Sequence, residues 1–293
     1  MSRASPGWLG RSLPVASVLL AVLLLWLVGA VGLNRAGAVE RVLNNQPYTL
    51  GQLIGTTLSM ERPVLPAPQQ VVADLYSSLV DWPLDSPRNL LYHAAVTAQS
   101  TLVGFALGSL LGVVLAAAIV HSRTLDRALL PWIVASQTVP VLAIAPIVLV
   151  ILGSLGFSGV APKATIAMYL CFFPVTVAMV QGLRAPQRLD LELMHTYAAS
   201  RWQAFWLLRL PAALPYLFPS LRVAIAAGVV GAMVAELPTG AQAGLGAKLL
   251  TGSYYGNTVG IWSALVMSAL LGLGLTLAVG GIERLVLRQR RSA

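Results

Sequence analysis

Very few side chains in this sequence are spaced for covalent chemistry. Gly156-Phe157-Ser158-Gly159 has the Gly-x-Ser-Gly form of an intramembrane serine nucleophile. Such a serine needs a base within hydrogen-bond reach, normally a histidine on a later span. The histidines are His93, His121 and His195; two precede the serine and the third lies in a polar stretch. A serine between two loop glycines is the simpler reading. A phosphate-cradling loop ends in Gly-Lys-Ser or Gly-Lys-Thr, but Lys163 is followed by Ala164 and Lys248 by Leu249. Any use of ATP therefore has to come through another subunit. The single cysteine, Cys171, lies in an apolar run. It permits no internal disulfide and no cysteine-based metal site, and it reads as a small buried packing residue. No catalytic residue, cofactor or metal site is expected.

The remaining polar groups inside apolar runs are Gln99, Ser100, Thr101, Gln137, Thr138 and Thr176, while Glu236 ends a run. Charged groups at membrane depth are costly and are kept for function. Glu236 has two readings: a gating or path-lining carboxylate, or one left at the outer interface where the run stops before Pro238. Gln99, Gln137 and Glu236 are the candidate residues of a translocation path.

The elements that would position these groups are set by composition. Apolar residues make up 57% of the 293-residue chain and charged residues 10%, against about 25% charged in a soluble domain; mean hydropathy is +0.78. No Asp, Glu, Lys or Arg occurs over 89–122, 128–162, 164–183, 223–235 or 249–282. A spanning helix needs roughly 20 mainly apolar residues, so these gaps predict an all-α polytopic membrane protein with about six spans. The net charge of +9 forms no contiguous basic face, and no nucleic-acid partner is expected.

Spans are predicted over about 13–33, 94–120, 131–152, 164–183, 217–236 and 259–282. The first is longer than a signal-peptide core and is expected to be retained, although Ala36-Gly37-Ala38 resembles a cleavage site. Between it and the second span, only Pro68–Val80 looks helical, with Val71, Val72, Leu75 and Leu79 at helical spacing. Gly104, Gly108 and Gly112 line one face of the second span, where small residues allow close helix approach. The third span carries Pro140 and Pro146 and the fourth Pro174. A glycine-rich connection is expected from Pro238 to Asn257. The chain thus divides into a first span (1–34), an outer segment (35–88), a core (89–285) and a basic tail (286–293). Thirteen of the 19 Arg and Lys residues fall on one side of this arrangement and six on the other. The excess of positive charge inside is expected to put both termini and the 184–215 loop in the cytoplasm.

That loop reads ELMHTYAASRWQAFWLLRLPAALPYLFPSLRVA from Glu192 to Ala224. It predicts a helical stretch, a break at Ala199-Ser200, and a second stretch around 201–208 before Leu210-Pro211. Trp202, Phe205 and Trp206 share one face, suited either to the membrane surface or to docking a protein.

The segment resembles the EAA loop of bacterial ABC importer permeases. The match falls on Glu192, on Ala198 at the position of the family's glycine, on Ala199, Ser200, Arg201, Trp202 and Phe205, and on Leu210-Pro211. Leu193 and Met194 replace the two alanines of the pattern. The likeness continues through LPAPQQVVADL (65–75), HSRTLDR (121–127), VPVLAIAPIVLVILG (139–153), CFFPVTVAMVQGLR (171–184) and VVGAMVAELPTGAQAGLGAKLL (229–250). It covers roughly residues 65–285 and follows the nitrate/sulfonate/taurine branch. Within that branch it looks closest to permeases for thiamine precursors, riboflavin and related pyrimidines. The resemblance implies a type I importer permease fold in which the EAA-like loop couples to separate ABC ATPase subunits. It also implies a second permease copy as a homodimer, and a periplasmic or lipid-anchored substrate-binding protein. The competing reading is a stand-alone secondary carrier or intramembrane enzyme. A carrier would show inverted repeats and paired ionisable groups at mid-membrane, and neither is visible in the sequence.

Overall fold

The chain was described in a computed structural model, which covers residues 8–44, 46–238 and 243–291. Every regular element among them is a helix. Among the described residues five helices are long and apolar enough to cross a membrane, and a bent pair supplies a sixth crossing if it counts as one. The chain divides into two compact units, one of residues 1–90 with 249–265 and one of 91–248 with 266–293.

In the first unit, α1 (Trp8–Arg41) is long, apolar and largely uncovered, as a lipid-facing helix should be. It continues through Ala36-Gly37-Ala38, and Ala38 is buried there. A helical segment is a poor substrate for cleavage. Near its end, Asn34 takes the place of a loop's own hydrogen bonds. Its Oδ1 accepts from the amides of Val64 (2.7 Å) and Leu65 (3.2 Å), and its Nδ2 donates to the Leu65 carbonyl (2.8 Å). A further helix, α2 (Leu50–Leu58), lies where only loop was expected. Thr49 and Gln52 form its capping box, each side chain accepting from the other's backbone amide. The next helix, α3, runs over Pro68–Val80 as predicted, with proline in its first turn.

The core of the second unit is a sandwich of α4 (Leu90–His121), α7 (Val160–Arg184) and α10 (Leu210–Glu236). Lipid gives no hydrophobic drive between helices, so close backbone packing has to hold them. The glycine stripe on α4 does this. A Cβ on Gly108 would sit 2.7 Å from the Cys171 Cβ and the Met168 carbonyl, and one on Gly112 2.8 Å from the Phe172 carbonyl. From the other side, a Cβ on Gly231 of α10 would sit 2.9 Å from the Ala167 Cα. Cys171 is fully buried at this crossing and donates to the Ala224 carbonyl (3.1 Å).

Three predicted boundaries change. The expected third span is broken: α5 (Arg123–Ser136) and α6 (Val141–Ser154) meet at 103°. Pro140 cannot continue a helix donor ladder, and it caps α6 instead. The fifth span starts earlier, because one helical run extends from Arg201 to Glu236. The glycine-rich connection contains α11 (Leu245–Tyr255), before α12 (Thr258–Arg291).

Candidate functional site: the helix-turn-helix loop and a buried carboxylate

The loop is built from α8 (Arg188–Thr196), a four-residue turn and α9 (Arg201–Ala204). Local chemistry fixes each joint. Asp190 starts α8 by accepting from the Gln187 amide (3.1 Å). Its end is a Schellman turn: the Ala198 amide donates to the His195 carbonyl (2.9 Å) and the Ala199 amide to Met194 (3.0 Å). That turn needs a left-handed residue, and Ala198 supplies it at φ +51°. Glycine takes this conformation freely, whereas alanine pays about 1–2 kcal/mol for it. Ser200 then begins α9 with a capping box, accepting from the Gln203 amide (3.2 Å) while Gln203 Oε1 accepts from the Ser200 amide (2.8 Å).

Beyond α9, Phe205–Arg209 forms a π turn that leads straight into α10. Leu210-Pro211 therefore lies inside a continuous helix and does not end one. A proline ring crowds the carbonyl four residues back, here Leu207, and a turn widened by one residue relieves that crowding.

The three aromatics do form one cluster, with ring centroids 5.5–6.0 Å apart. Its members differ in role. Phe205 is buried in the core beside Ile119, Met179 and Leu183, and its ring meets His121 at 5.0 Å. Its expected place on a docking face is corrected: Phe205 anchors the loop to the bundle. Trp202 and Trp206 are exposed. Glu192 is also exposed and pairs with Arg188 (2.9 Å) within α8. Two further contacts bind the loop's surroundings: Asp126 with Arg184 (2.9 Å), and Arg209 Nη1 donating to the Leu183 carbonyl (3.3 Å).

Glu236, the last residue of α10, is fully buried within the protein. Its carboxylate accepts from Thr97 Oγ1 (3.0 and 3.1 Å) and from the Gly246 amide (2.8 Å), and Lys163 Nζ stands 3.8 Å away. Lys163 also donates to the Ala243 carbonyl (3.1 Å). Thr97 Oγ1 in turn accepts from the Leu245 amide (2.9 Å), and His93 Nδ1 from the Gly244 amide (3.0 Å). A Cβ on Gly244 would overlap the carboxylate, and its φ of +129° also calls for glycine. The group pins the 243–246 backbone to α4, α7 and α10. Lys163 is thus no free loop charge. Gln99 and Gln137 are both exposed, and the structure does not bring them to Glu236. Thr97 and His93 escaped sequence reasoning. Their signal was a polar stripe on α4, His93, Thr97, Ser100 and Thr101, at helical spacing, all of it buried. Among the described residues there is no cluster of His, Cys, Asp or Glu that could hold a metal.

Residues 108–292 match the family described as the binding-protein-dependent transport system inner membrane component. The chain belongs to this family. These permeases include the formylaminopyrimidine transport permease ThiX of Halalkalibacterium halodurans, 32% identical over 78% of this chain and 86% of that protein. The riboflavin transport system permease RibX of Chloroflexus aurantiacus is 32% identical over 78% of this chain and 81% of its own length. A putative aliphatic sulfonates transport permease, SsuC of Bacillus subtilis, is 26% identical over 82% and 83%. The chain is accordingly an ABC importer permease, a multi-pass inner-membrane subunit for small solutes. The reading as a secondary carrier or intramembrane enzyme gives way to it.

Proposed function

We propose that this permease forms the path of an importer whose ATP hydrolysis occurs on a separate ABC ATPase, with Ala198–Trp202 as the element that docks on it. One observation carries this reading: Trp202 is exposed at the tip of a loop whose every joint is capped, and whose base is anchored through Phe205. A rigid loop that presents a large aromatic ring is built to be gripped, because such rings dominate interface hot spots. Both termini face the cytoplasm, α1 is retained, and two copies of the chain enclose the path in the lipid bilayer. A periplasmic or lipid-anchored binding protein delivers the solute. That solute is a small nitrogen heterocycle of the pyrimidine kind, as the likeness to ThiX and RibX supports; a sulfonate, taurine or nitrate is the second choice. Gln99 and Gln137 are its candidate path residues, and Glu236 holds the 243–246 segment beside it.

The test is co-purification. Ala198→Asp would carry an unpaired charge into a docked turn, and Trp202→Ala would remove the gripped ring. Each variant is expected to insert and express normally yet lose the ATPase and substrate-stimulated hydrolysis. Wild-type association in both would refute the docking role. For the solute, deletion of the gene should create a growth requirement met only by high concentrations of a pyrimidine-type vitamin precursor.

A further inference from the structure

A cavity of about 340 Å³ lies behind the coupling loop, between the end of α4, helix α8 and the start of the Arg201–Glu236 run. Its polar lining is entirely basic: His121, His195, Arg201 and Arg209. Val120 and Met194 close its apolar side. No acid lines it, although acids are close by in sequence. Each of these is engaged elsewhere: Asp126 with Arg184, Glu192 with Arg188, and Asp190 with the Gln187 amide. Among the described residues, neither Arg201 nor Arg209 has a carboxylate within ion-pair distance. His121 Nδ1 lies 2.7 Å from the Ala117 carbonyl. A carbonyl only accepts, so Nδ1 carries the proton that fixes the ring's orientation.

Two guanidinium groups gathered in a concavity repel one another unless something negative joins them. Arginine's planar fork matches the oxygens of a phosphate in two parallel hydrogen bonds. We infer that this cavity is a binding site for a phosphate-bearing anion, held by Arg201 and Arg209 with His121 and His195 at its rim. Two sources offer this chemistry: a soluble phosphate ester or pyrophosphate, and the headgroup of an anionic lipid. Either would wedge behind α9, between the loop and α4, and set where the loop stands. The binding itself is independent of the ATPase docking proposed above, so it is tested on the permease alone.

The full-length protein is placed in nanodiscs of phosphatidylcholine and titrated calorimetrically with inorganic pyrophosphate. A second preparation contains an equal mixture of phosphatidylcholine and phosphatidylglycerol, and native mass spectrometry counts the retained lipids. Three variants accompany the wild type. Arg201→Gln removes a side chain that makes no internal hydrogen bond among the described residues, so folding is spared. Arg201→Gln with Arg209→Gln empties the site of both forks. Arg188→Gln is the control, a loop arginine outside the cavity. Saturable pyrophosphate binding, weakened about tenfold by Arg201→Gln and unchanged by Arg188→Gln, supports the site with a soluble ligand. Preferential retention of phosphatidylglycerol, lost in the same variants, supports it with a lipid ligand. If neither probe binds, or if binding is equal in the wild type and the double variant, the proposal is overturned.

Discussion

Trp202 and Phe205 stack with their ring centroids 6.0 Å apart and their planes 22° from parallel, yet Trp202 is 65% exposed and Phe205 only 7%. One ring faces outward and its neighbour is sunk in the bundle. Substitutions at the two sites should therefore separate cleanly. Phe205→Ala is expected to cost about 3–5 kcal/mol of stability, as for a large core deletion, and to lower the melting temperature of the purified permease. Trp202→Ala should change stability by about 0.5 kcal/mol or less while abolishing ATPase association. A melting scan alongside a pull-down reads both, and equal melting losses in the two variants would contradict the anchoring role of Phe205.

Ala198 offers a rarer prediction, a variant that improves the protein. Its φ of +51° is strained for alanine by about 1–2 kcal/mol, of which glycine would give back roughly half through its own backbone freedom. Ala198→Gly should leave the loop about 0.5–1 kcal/mol more stable. Hydrogen exchange at the Ala199 amide, which closes the Schellman turn, should slow by a few-fold. Ala198→Val, β-branched and worse suited to the left-handed region, should accelerate it.

The Glu236–Lys163 pair predicts non-additive losses. Removing one member of a buried pair costs about 3–5 kcal/mol because the other charge is stranded. Glu236→Leu alone and Lys163→Met alone should each lower the unfolding temperature markedly. The double variant should lose much less than their sum, which a double-mutant cycle would show. Strict additivity would mean that the 3.8 Å separation carries no coupling.

Membrane orientation is tested with single cysteines. In a Cys171→Ser background, Asp85→Cys and Tyr197→Cys place thiols on exposed positions. An impermeant thiol reagent added to intact cells should label the first and spare the second. Labelling of both from the same side would break the proposed topology.

Much of this architecture could be read directly from residue order, and the exceptions have physical causes. Helix α3 was legible because Pro68 marks its start and the Val71, Val72, Leu75, Leu79 spacing its helical period, although of these only Val71 is buried and Val72 is exposed. The bend between α5 and α6 was not, since an apolar run reports depth in the membrane but not direction, and Pro140 is equally at home in a kink or a break. Helix α2 was hidden among polar and proline-rich neighbours, although Thr49-x-x-Gln52 is a capping signal. Helix α11 was masked by glycines that serve tertiary contact: a Cβ on Gly246 would strike the Glu236 side chain. In the 184–215 loop, the aromatic spacing told which rings cluster but not which is buried. That depends on His121 and the core of α7. Glu236 stood out as an isolated acid, whereas its partner Thr97 is 139 positions away.

Arg201–Glu236 is one helical run of 36 residues, about 54 Å at 1.5 Å per residue. That is well beyond the roughly 30 Å of a bilayer's hydrocarbon. Trp202 and Glu236 are thus opposite ends of a single rod. If the ATPase grips Trp202 as proposed, its displacement is passed along this run toward the carboxylate and the glycine segment clipped to it. Its compliant seams are the π turn at Phe205–Arg209, next to the point where Phe205 is sunk in the bundle, and the turns at Pro215 and Pro219, where a backbone donor is missing. Under that proposal, a short displacement of the loop would be felt at the far end of a helix longer than the bilayer is thick.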